Sequence, residues 1–403
     1  MNSINQINLE GKKVLVRVDF NVPLNQDKQI TDDTRIKAAI PTIEYILNHG
    51  GSVILMSHLG RPQKKLNTDG TIDKDALSLA PIAKHLADLL HQSVQFIDDC
   101  IGEKAIDASR NLKQGEILLL ENTRFYKEEE KGDANFAKQL ADLGDVYIND
   151  AFGTAHRAHA STTIMAQYFD KNHKTAGFLM KAEVDNANKV LHQAEKPLTA
   201  IIGGAKVSDK ILIIENLLNI AQNIIIGGGM AYTFIKAQGG KIGNSLVEDD
   251  RLDLALSVLE KAKQNKVNIY LPEDSVIADA FSNDANYKTV ESNEIPENWM
   301  GLDIATKAIA TFDEVIANSK TILWNGPMGV FEMENFRKGT EAIAKAVANA
   351  TANGAFSLVG GGDSVAAINL LQLNDKVSYV STGGGAMLEF FEGKTLPGVA
   401  ALD

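Results

Sequence analysis

Short apolar, β-branched runs alternate along this chain with longer segments of helical period. In the first half the runs are KVLVRVDFN, SVILMSHLGRP, EILLLENTRF and DVYINDAFGTAHRAH. In the second half they are LTAIIGGAK, NIIIGGGM, NIYLPED, TILWNGPMGVFE, FSLVGGGDS and SYVSTGGGA. Apolar runs this continuous suit strands covered on both faces, and their alternation with helical patterns predicts parallel α/β construction. Residues 181–195 have the pattern of a mostly polar helix, and Pro197 restarts the chain before a strand. The expected organisation is a lobe over 1–180, a connecting helix and hinge over 181–196, a second lobe over 197–390 and a tail over 391–403. That tail, with its glycine and proline and no periodicity, is expected as an extended strap returning to the first lobe.

The two halves end their strands differently. The first uses charged or imidazole side chains: Arg17, Asp19 and Asn21, then His58 and Arg61, Arg124, and the group His156, Arg157 and His159. The second uses glycine pairs and triplets at 203–204, 227–229, 360–362 and 383–385. Ligands of open parallel sheets sit outside the carboxyl ends of the strands. One half is therefore expected to grip a small anion with side chains, and the other to let backbone approach something larger.

Composition changes this picture only by exclusion. The 403 residues carry a net charge of −12, against the basic surface that nucleic-acid binding needs, so any anion site is a local cluster. The single cysteine, Cys100, rules out an internal disulfide framework. The opening MNSINQINLEGKK lacks the apolar core of a signal peptide, and no apolar run reaches membrane-spanning length, so a cytoplasmic location is expected, with no membrane partner.

Among the motifs, the P-loop, the G-x-G-x-x-G fingerprint and the protein-kinase set are all absent. In IIGGAKVSDKILIIENLL a helix is expected from near Ala205, with Lys206 and Lys210 on one face and Ile211, Ile214 and Leu218 as its core stripe. Lysines there oppose the helix dipole unless an anion joins them. In VGGGDSVAAINLL, Asp363 or Ser364 stands at a helix start, and Asp363 is either a cap or a ligand of Mg²⁺ on phosphates. Arg17, Asp19 and Asn21 alternate at strand spacing and are expected to project the same way. Arginines at the ends of several consecutive elements suit bidentate recognition of phosphate and carboxylate. GTAHRAH has no third metal ligand nearby, which favours an anion clamp centred on Arg157 over a zinc site.

Together VLVRVDFNVP, SHLGRP, GTAHRAH, GGAKVSDK, GGGMAYTF, WNGPMGVFE, GGGDS and STGGGA resemble the phosphoglycerate kinase family, in the right order and over essentially the whole chain. The resemblance implies two Rossmann-like lobes with parallel sheets closing by a hinge, and a monomer. It implies 3-phosphoglycerate or 1,3-bisphosphoglycerate in the first lobe, and ADP or ATP with Mg²⁺ in the second. Carried over by motif, Asp19, Asn21, Arg35, His58, Arg61, Arg124 and Arg157 would hold the phosphoglycerate. Lys206 would attend the transferred phosphoryl group and Lys210 the nucleotide phosphates. Gly301, Asn325 and Glu332 would serve the nucleotide, Glu332 at the ribose. Asp363 would hold the metal, beside Gly360, Gly361, Gly362 and Ser364. The catalytic set would be Arg35, Lys206, Gly361 and Gly384. Thr123 departs from the apolar residue common in the family without touching the neighbouring arginine. A two-lobed anion-binding protein and another small-molecule kinase remain as alternatives.

Overall fold

The computed structural model describes residues 3–403. Contacts within the chain divide it into two compact units, one running through Val184 and taking in Thr395–Asp403, the other Asp185–Lys394.

The first unit is built on strands β1 (Lys13–Arg17), β2 (Ser52–Met56), β3 (Val94–Ile97), β4 (Ile117–Leu120), β5 (Val146–Asn149) and β6 (Lys174–Ala176). They form one parallel sheet in the order β3-β4-β2-β1-β5-β6. The inner strands β1, β2, β4 and β5 are buried almost throughout, as their uninterrupted apolar runs require when helices cover both faces. Ile36, Ile43, Ile46, Ile82 and Leu86 supply much of one covering layer. Arg17 pairs in register with Met56 and Asn149, so the segments after β1, β2 and β5 leave the sheet side by side.

The second unit carries β7 (Leu198–Ile202), β8 (Asn223–Ile226), β9 (Lys241–Ile242), β10 (Asn268–Tyr270), β11 (Asp274–Ala278), β12 (Tyr287–Glu291), β13 (Glu294–Ile295), β14 (Met300–Ile304), β15 (Thr321–Asn325), β16 (Phe356–Gly360) and β17 (Tyr379–Val380). The parallel sheet runs β10-β8-β7-β15-β16-β17. Asn325 lies in register between Ile202 and Gly360, so the strand-end loops that contain glycine converge there. An antiparallel sheet β12-β11-β14 and a short β9–β13 pair are additions outside the expected strands.

Several local expectations are corrected. The helix expected over 181–195 is Phe178–His192. The tail is not extended: Phe391 closes the helix Gly384–Phe391, and Pro397–Ala400 forms a further helical turn. Proline at its first position suits a helix start, and the Gly398 N–H donates to Ala155 O at 2.8 Å, which fastens the turn to the first unit. The helix expected from Ala205 begins only at Ile211, with Lys210 as its N-cap, so Lys206 and Lys210 share no helical face. Residues 203–210 are instead turns, pinned where Ser208 binds Glu248 through both its N–H and its hydroxyl. The buried stripe of that helix is Ile213, Ile214 and Leu217, continued by Leu218, while Ile211 is only part-buried.

Candidate active site

In the first unit the candidate residues gather where β1, β2, β4 and β5 end. β1 stops at Arg17, so Arg17, Asp19 and Asn21 do not share one strand face. Arg17 is sealed inside, whereas Asp19 and Asn21 belong to the following loop. Asp19 accepts from Arg35 Nη1 at 3.2 Å, and the same Nη1 donates to Asn21 O at 3.0 Å. Both fixed contacts use one nitrogen, which leaves the outer edge of the half-exposed guanidinium for a ligand. Asn21 Oδ1 accepts from Gly60 N at 2.8 Å and ties the loop after β1 to the loop after β2. Arg124 donates from Nη1 to Gly60 O at 2.9 Å, so a second guanidinium is oriented by the same short segment.

Imidazoles complete this surface without adding charge. His58 is buried, with Nδ1 3.2 Å from Arg17 Nη2. Burial, followed by the positive charges of Arg17, Arg124 and Arg35, presses its pKa well below the ordinary imidazole range. Burial and the same kind of neighbours push His159 down to about 4. Arg61 and Arg157 are exposed on the segments after β2 and β5. The structure thus links Asp19, Asn21, Arg35 and Arg124 through shared contacts, holds His58 against Arg17, and leaves Arg61 and Arg157 exposed on the neighbouring segments.

One organising residue was not singled out from sequence. Asn122 is fully buried, accepts from Leu59 N and Arg124 N, and donates to Leu59 O and Leu77 O. It clamps the loop after β2 to the segment after β4. It stands two residues before Arg124 in ENTRF, and its partners Leu59 and Leu77, distant in sequence, are what give it this role. Neighbouring Thr123 is buried with no partner for its hydroxyl, consistent with a site that an apolar side chain would also fill.

In the second unit a pocket of about 560 Å³ opens beside the ends of β7, β8 and β15. Gly204, Gly228, Gly301, Glu332 and Asp363 line it, with an apolar wall that includes Tyr232, Leu246, Met300, Leu302 and Val330. The glycines fall into two kinds. A Cβ on Gly203 would lie 2.0 Å from Pro327 O, and one on Gly228 would lie 2.5 Å from Gly204 O, so these exist to let strand-end loops pack backbone on backbone. Gly362 and Gly384, by contrast, face open space at the first turns of the helices Gly362–Leu370 and Gly384–Phe391. Helix starts such as these leave backbone N–H groups for an anion.

Lys210 donates from Nζ to Asn325 Oδ1 at 2.5 Å, and burial lowers its pKa. Lys206 is exposed. The cap of the helix Gly362–Leu370 is Gly361, at φ +88°, a conformation that favours glycine, so neither Asp363 nor Ser364 is the cap. Asp363 is exposed at the pocket, whereas Ser364 is buried and accepts from Gly326 N at 2.6 Å. Ser364 therefore braces the loop after β15. Gly301 is hemmed in by Tyr232, whose Oη would lie 1.9 Å from an added Cβ. Tyr232, Leu246 and Met300 were missed from sequence, because this wall rests partly on the antiparallel strands.

Asp303 also lines the pocket. It is buried, accepts from Gly339 N at 2.8 Å and Ile304 N at 2.9 Å, and burial raises its pKa to about 7.

A guanidinium-rich anion surface in one parallel α/β unit, and in the other an apolar-walled pocket whose Gly204 edge adjoins Lys210 and whose Asp363 stands on an open helix start, mark a kinase for a small anionic substrate. The phosphoglycerate kinase family model matches residues 4–394. A phosphoglycerate kinase of Porphyromonas gingivalis is 53% identical, with 99% of each chain covered. The cytosolic phosphoglycerate kinase of Nicotiana tabacum is 52% identical over 100% of this chain and 98% of its own. The solved phosphoglycerate kinase structure from Coxiella burnetii matches with a TM-score of 0.88 at 42% identity, covering 100% of this chain and 98% of that one. That from Pyrococcus horikoshii OT3 matches at 0.83 and 31% identity, with the same coverage. The chain belongs to the phosphoglycerate kinase family. No helix among the described residues is long and apolar enough to cross a membrane.

Proposed function

We propose that this chain transfers the acyl phosphate of 1,3-bisphosphoglycerate to ADP, reversibly, giving 3-phosphoglycerate and ATP. The observation that carries the reading is the pair of oriented guanidiniums, Arg35 held by the loop after β1 and Arg124 held by Gly60 O after β2, beside two imidazoles, His58 and His159, whose pKa values are pushed down. Asp19, Asn21, Arg35, His58, Arg61, Arg124 and Arg157 hold the phosphoglycerate. The pocket of the second unit takes the nucleotide, with its apolar wall at the base, Gly301 and Glu332 along it, and Lys206, Lys210, Asn325 and Gly360 to Ser364 toward the phosphates.

The reaction needs no general base. In one direction the attacking atom is a phosphate oxygen and in the other a carboxylate, and carboxyl groups of pKa about 4 are already ionised at pH 7. Catalysis rests on in-line positioning and on positive charge around the equatorial oxygens of the moving phosphoryl group. Arg35 supplies that charge from the phosphoglycerate side. Lys206 and the N–H groups near Gly361 and Gly384 supply it from the nucleotide side. Direct transfer needs the two substrates brought together, hence a hinge-bending closure.

The residues fit Mg²⁺ as the nucleotide's counterion. Asp363 offers one exposed carboxylate at the pocket, and the described residues contain no cluster of three or more His, Cys, Asp or Glu that would cage a metal alone. Magnesium on phosphates takes only one or two protein carboxylates. When bound, it offsets phosphate charge. A cytoplasmic location is the accompanying reading, supported by the cytosolic relative, and a monomer is what the family resemblance implies.

A coupled assay with 3-phosphoglycerate and ATP tests the proposal. Turnover is expected. Tight phosphoglycerate binding without turnover overturns it in favour of a binding protein, and turnover on another acid alone overturns the substrate.

A further inference from the structure

Arg17 is the one fully buried guanidinium of the first unit's site, sealed from any direct contact with a ligand. It closes β1, and its guanidinium binds the next residue's carbonyl and reaches two other segments. Nη1 donates to Val18 O, Nε donates to Ser161 Oγ at 2.7 Å, and Nη2 lies 3.2 Å from His58 Nδ1. A guanidinium has five N–H donors and no acceptor. The His58 Nδ1 can therefore only accept, and the proton of the neutral ring sits on Nε2.

The other end of the chain of contacts is equally directed. Ser161 Oγ has accepted from Arg17, so its own proton goes to Glu129 Oε1, 2.6 Å away. The Ser161 backbone N–H also faces both oxygens of that carboxylate, at 3.3 and 3.4 Å. Glu129 is fully buried on the short helix Lys127–Lys131. Burial raises the Glu129 pKa, and Arg17 and the Ser161 hydrogen bonds oppose that rise. With the carboxylate ionised, the buried guanidinium has its countercharge one hydroxyl away, and no link can reverse without leaving a buried donor facing a donor.

We infer that Arg17, held by Ser161 and Glu129, is a positioning residue that locks His58 as the neutral Nε2–H tautomer, so that His58 meets the substrate's anionic group as a hydrogen-bond donor and not as a cation. The inference deepens, and rests on, the assignment of His58 to the phosphoglycerate site. The charged groups facing His58 work in the same direction: Arg17 from β1, Arg124 from the segment after β4 and Arg35 from the helix Thr34–Asn48 all oppose a charge on the ring. His159 from the segment after β5, itself pushed down to about 4, adds none near neutral pH. The positive charge of the surface then resides in guanidiniums, which do not titrate.

Ring-¹⁵N-histidine labelling of the full chain, read by long-range proton–nitrogen correlation between about pH 5.5 and 8, tests the lock across the range where an ordinary imidazole titrates. His58→Gln assigns the signal. The expected pattern is a protonated Nε2 and a bare, accepting Nδ1 that persist across the range. An Nδ1–H tautomer, or protonation near the ordinary value of about 6.5, overturns the proposal. Ser161→Ala keeps Arg17 but removes its tether. It is expected to mix tautomers and to make KM for 3-phosphoglycerate fall roughly 3-fold further than in the parent on acidification, while kcat at neutral pH stays within about 2-fold. A His58 pattern and a KM profile unchanged in folded Ser161→Ala overturn the role of the tether. Adding 3-phosphoglycerate is expected to shift Nε2. An Nε2 signal that ignores it overturns the assignment of His58 to the substrate site, separately from the lock.

Discussion

Lys210 Nζ donates to Asn325 Oδ1 at 2.5 Å, across the step between β7 and its parallel neighbour β15. The contact holds a part-buried ammonium beside Gly204 and Asp363, two residues of the pocket wall. A hydrogen bond to a charged group is worth about 1.5–3 kcal/mol. Asn325→Ala is therefore expected to weaken ADP binding by roughly 10- to 100-fold. Calorimetric titration with ADP reads this directly, and phosphoglycerate affinity should not change. Unaltered ADP binding would show that the amide does not orient the lysine for its ligand.

In the proposed reaction Arg35 and Lys206 are assigned the charge that the transition state needs, so they should differ from Arg157 in what they cost. Arg35 is pre-oriented by Asp19 and Asn21, whereas Arg157 stands exposed without a fixed direction. By analogy with arginine fingers, Arg35→Ala and Lys206→Ala should each lower kcat by about 10³-fold. Arg157→Ala should mainly raise KM for 3-phosphoglycerate. Steady-state kinetics on the three variants separate the roles, and near-normal kcat in the first two would sink the assignment.

How much of this was legible in the sequence depends on where a residue finds its partner. β1, β2, β4 and β5 were plain because both faces are buried and every position is apolar or nearly so. β3 was not, because only part of it is covered, and β12 is mostly exposed. The lysine segment misled for a local reason: glycines after a strand suggest a strand-to-helix turn, but Ser208 finds Glu248, forty residues on, and holds the chain in turns. Arg35 and Asp363 could be chosen from their motifs. Asn122, Ser161 and Asp303 could not, since each gains its meaning from residues distant in sequence: Leu59 for the first, Arg17 for the second and Gly339 for the third.

Gly301 gives a steric prediction. Its Cα faces the Tyr232 ring so closely that an added Cβ would lie 1.9 Å from Oη and 2.1 Å from Cζ. Tyr232 cannot retreat easily, because its Oη donates to Ser275 Oγ at 2.9 Å in a buried hydroxyl pair with Ser292. Overpacking of this kind costs about 1–3 kcal/mol. Gly301→Ala should therefore lower the urea midpoint of the second unit and raise KM for ATP, with KM for 3-phosphoglycerate unchanged. Equal damage to both KM values would mean that the residue shapes more than the nucleotide pocket.

Asp150 predicts a pH dependence whose sign is opposite to that of a salt-bridged carboxylate. It is fully buried behind β5, accepts from Met180 N at 3.1 Å, and has a second oxygen, Oδ2, with no partner. Burial raises its pKa to about 6, above the value of 3.8 expected when the chain is unfolded. The folded state therefore holds the proton more tightly than the unfolded state does. Its contribution is fully present below about pH 4 and is lost as pH rises through about 6, a change on the order of 3 kcal/mol. Asn matches the protonated acid in shape and cannot ionise, and Gly177 leaves it the same close space, since a Cβ there would stand 2.2 Å from Oδ1. Urea unfolding of ligand-free protein should accordingly show Asp150→Asn more stable than the parent at pH 8, with the difference shrinking toward pH 4.5. Parallel stability curves for the two proteins would mean that Asp150 is ionised in the folded state at little cost, and the unpartnered Oδ2 would then have to be solvated.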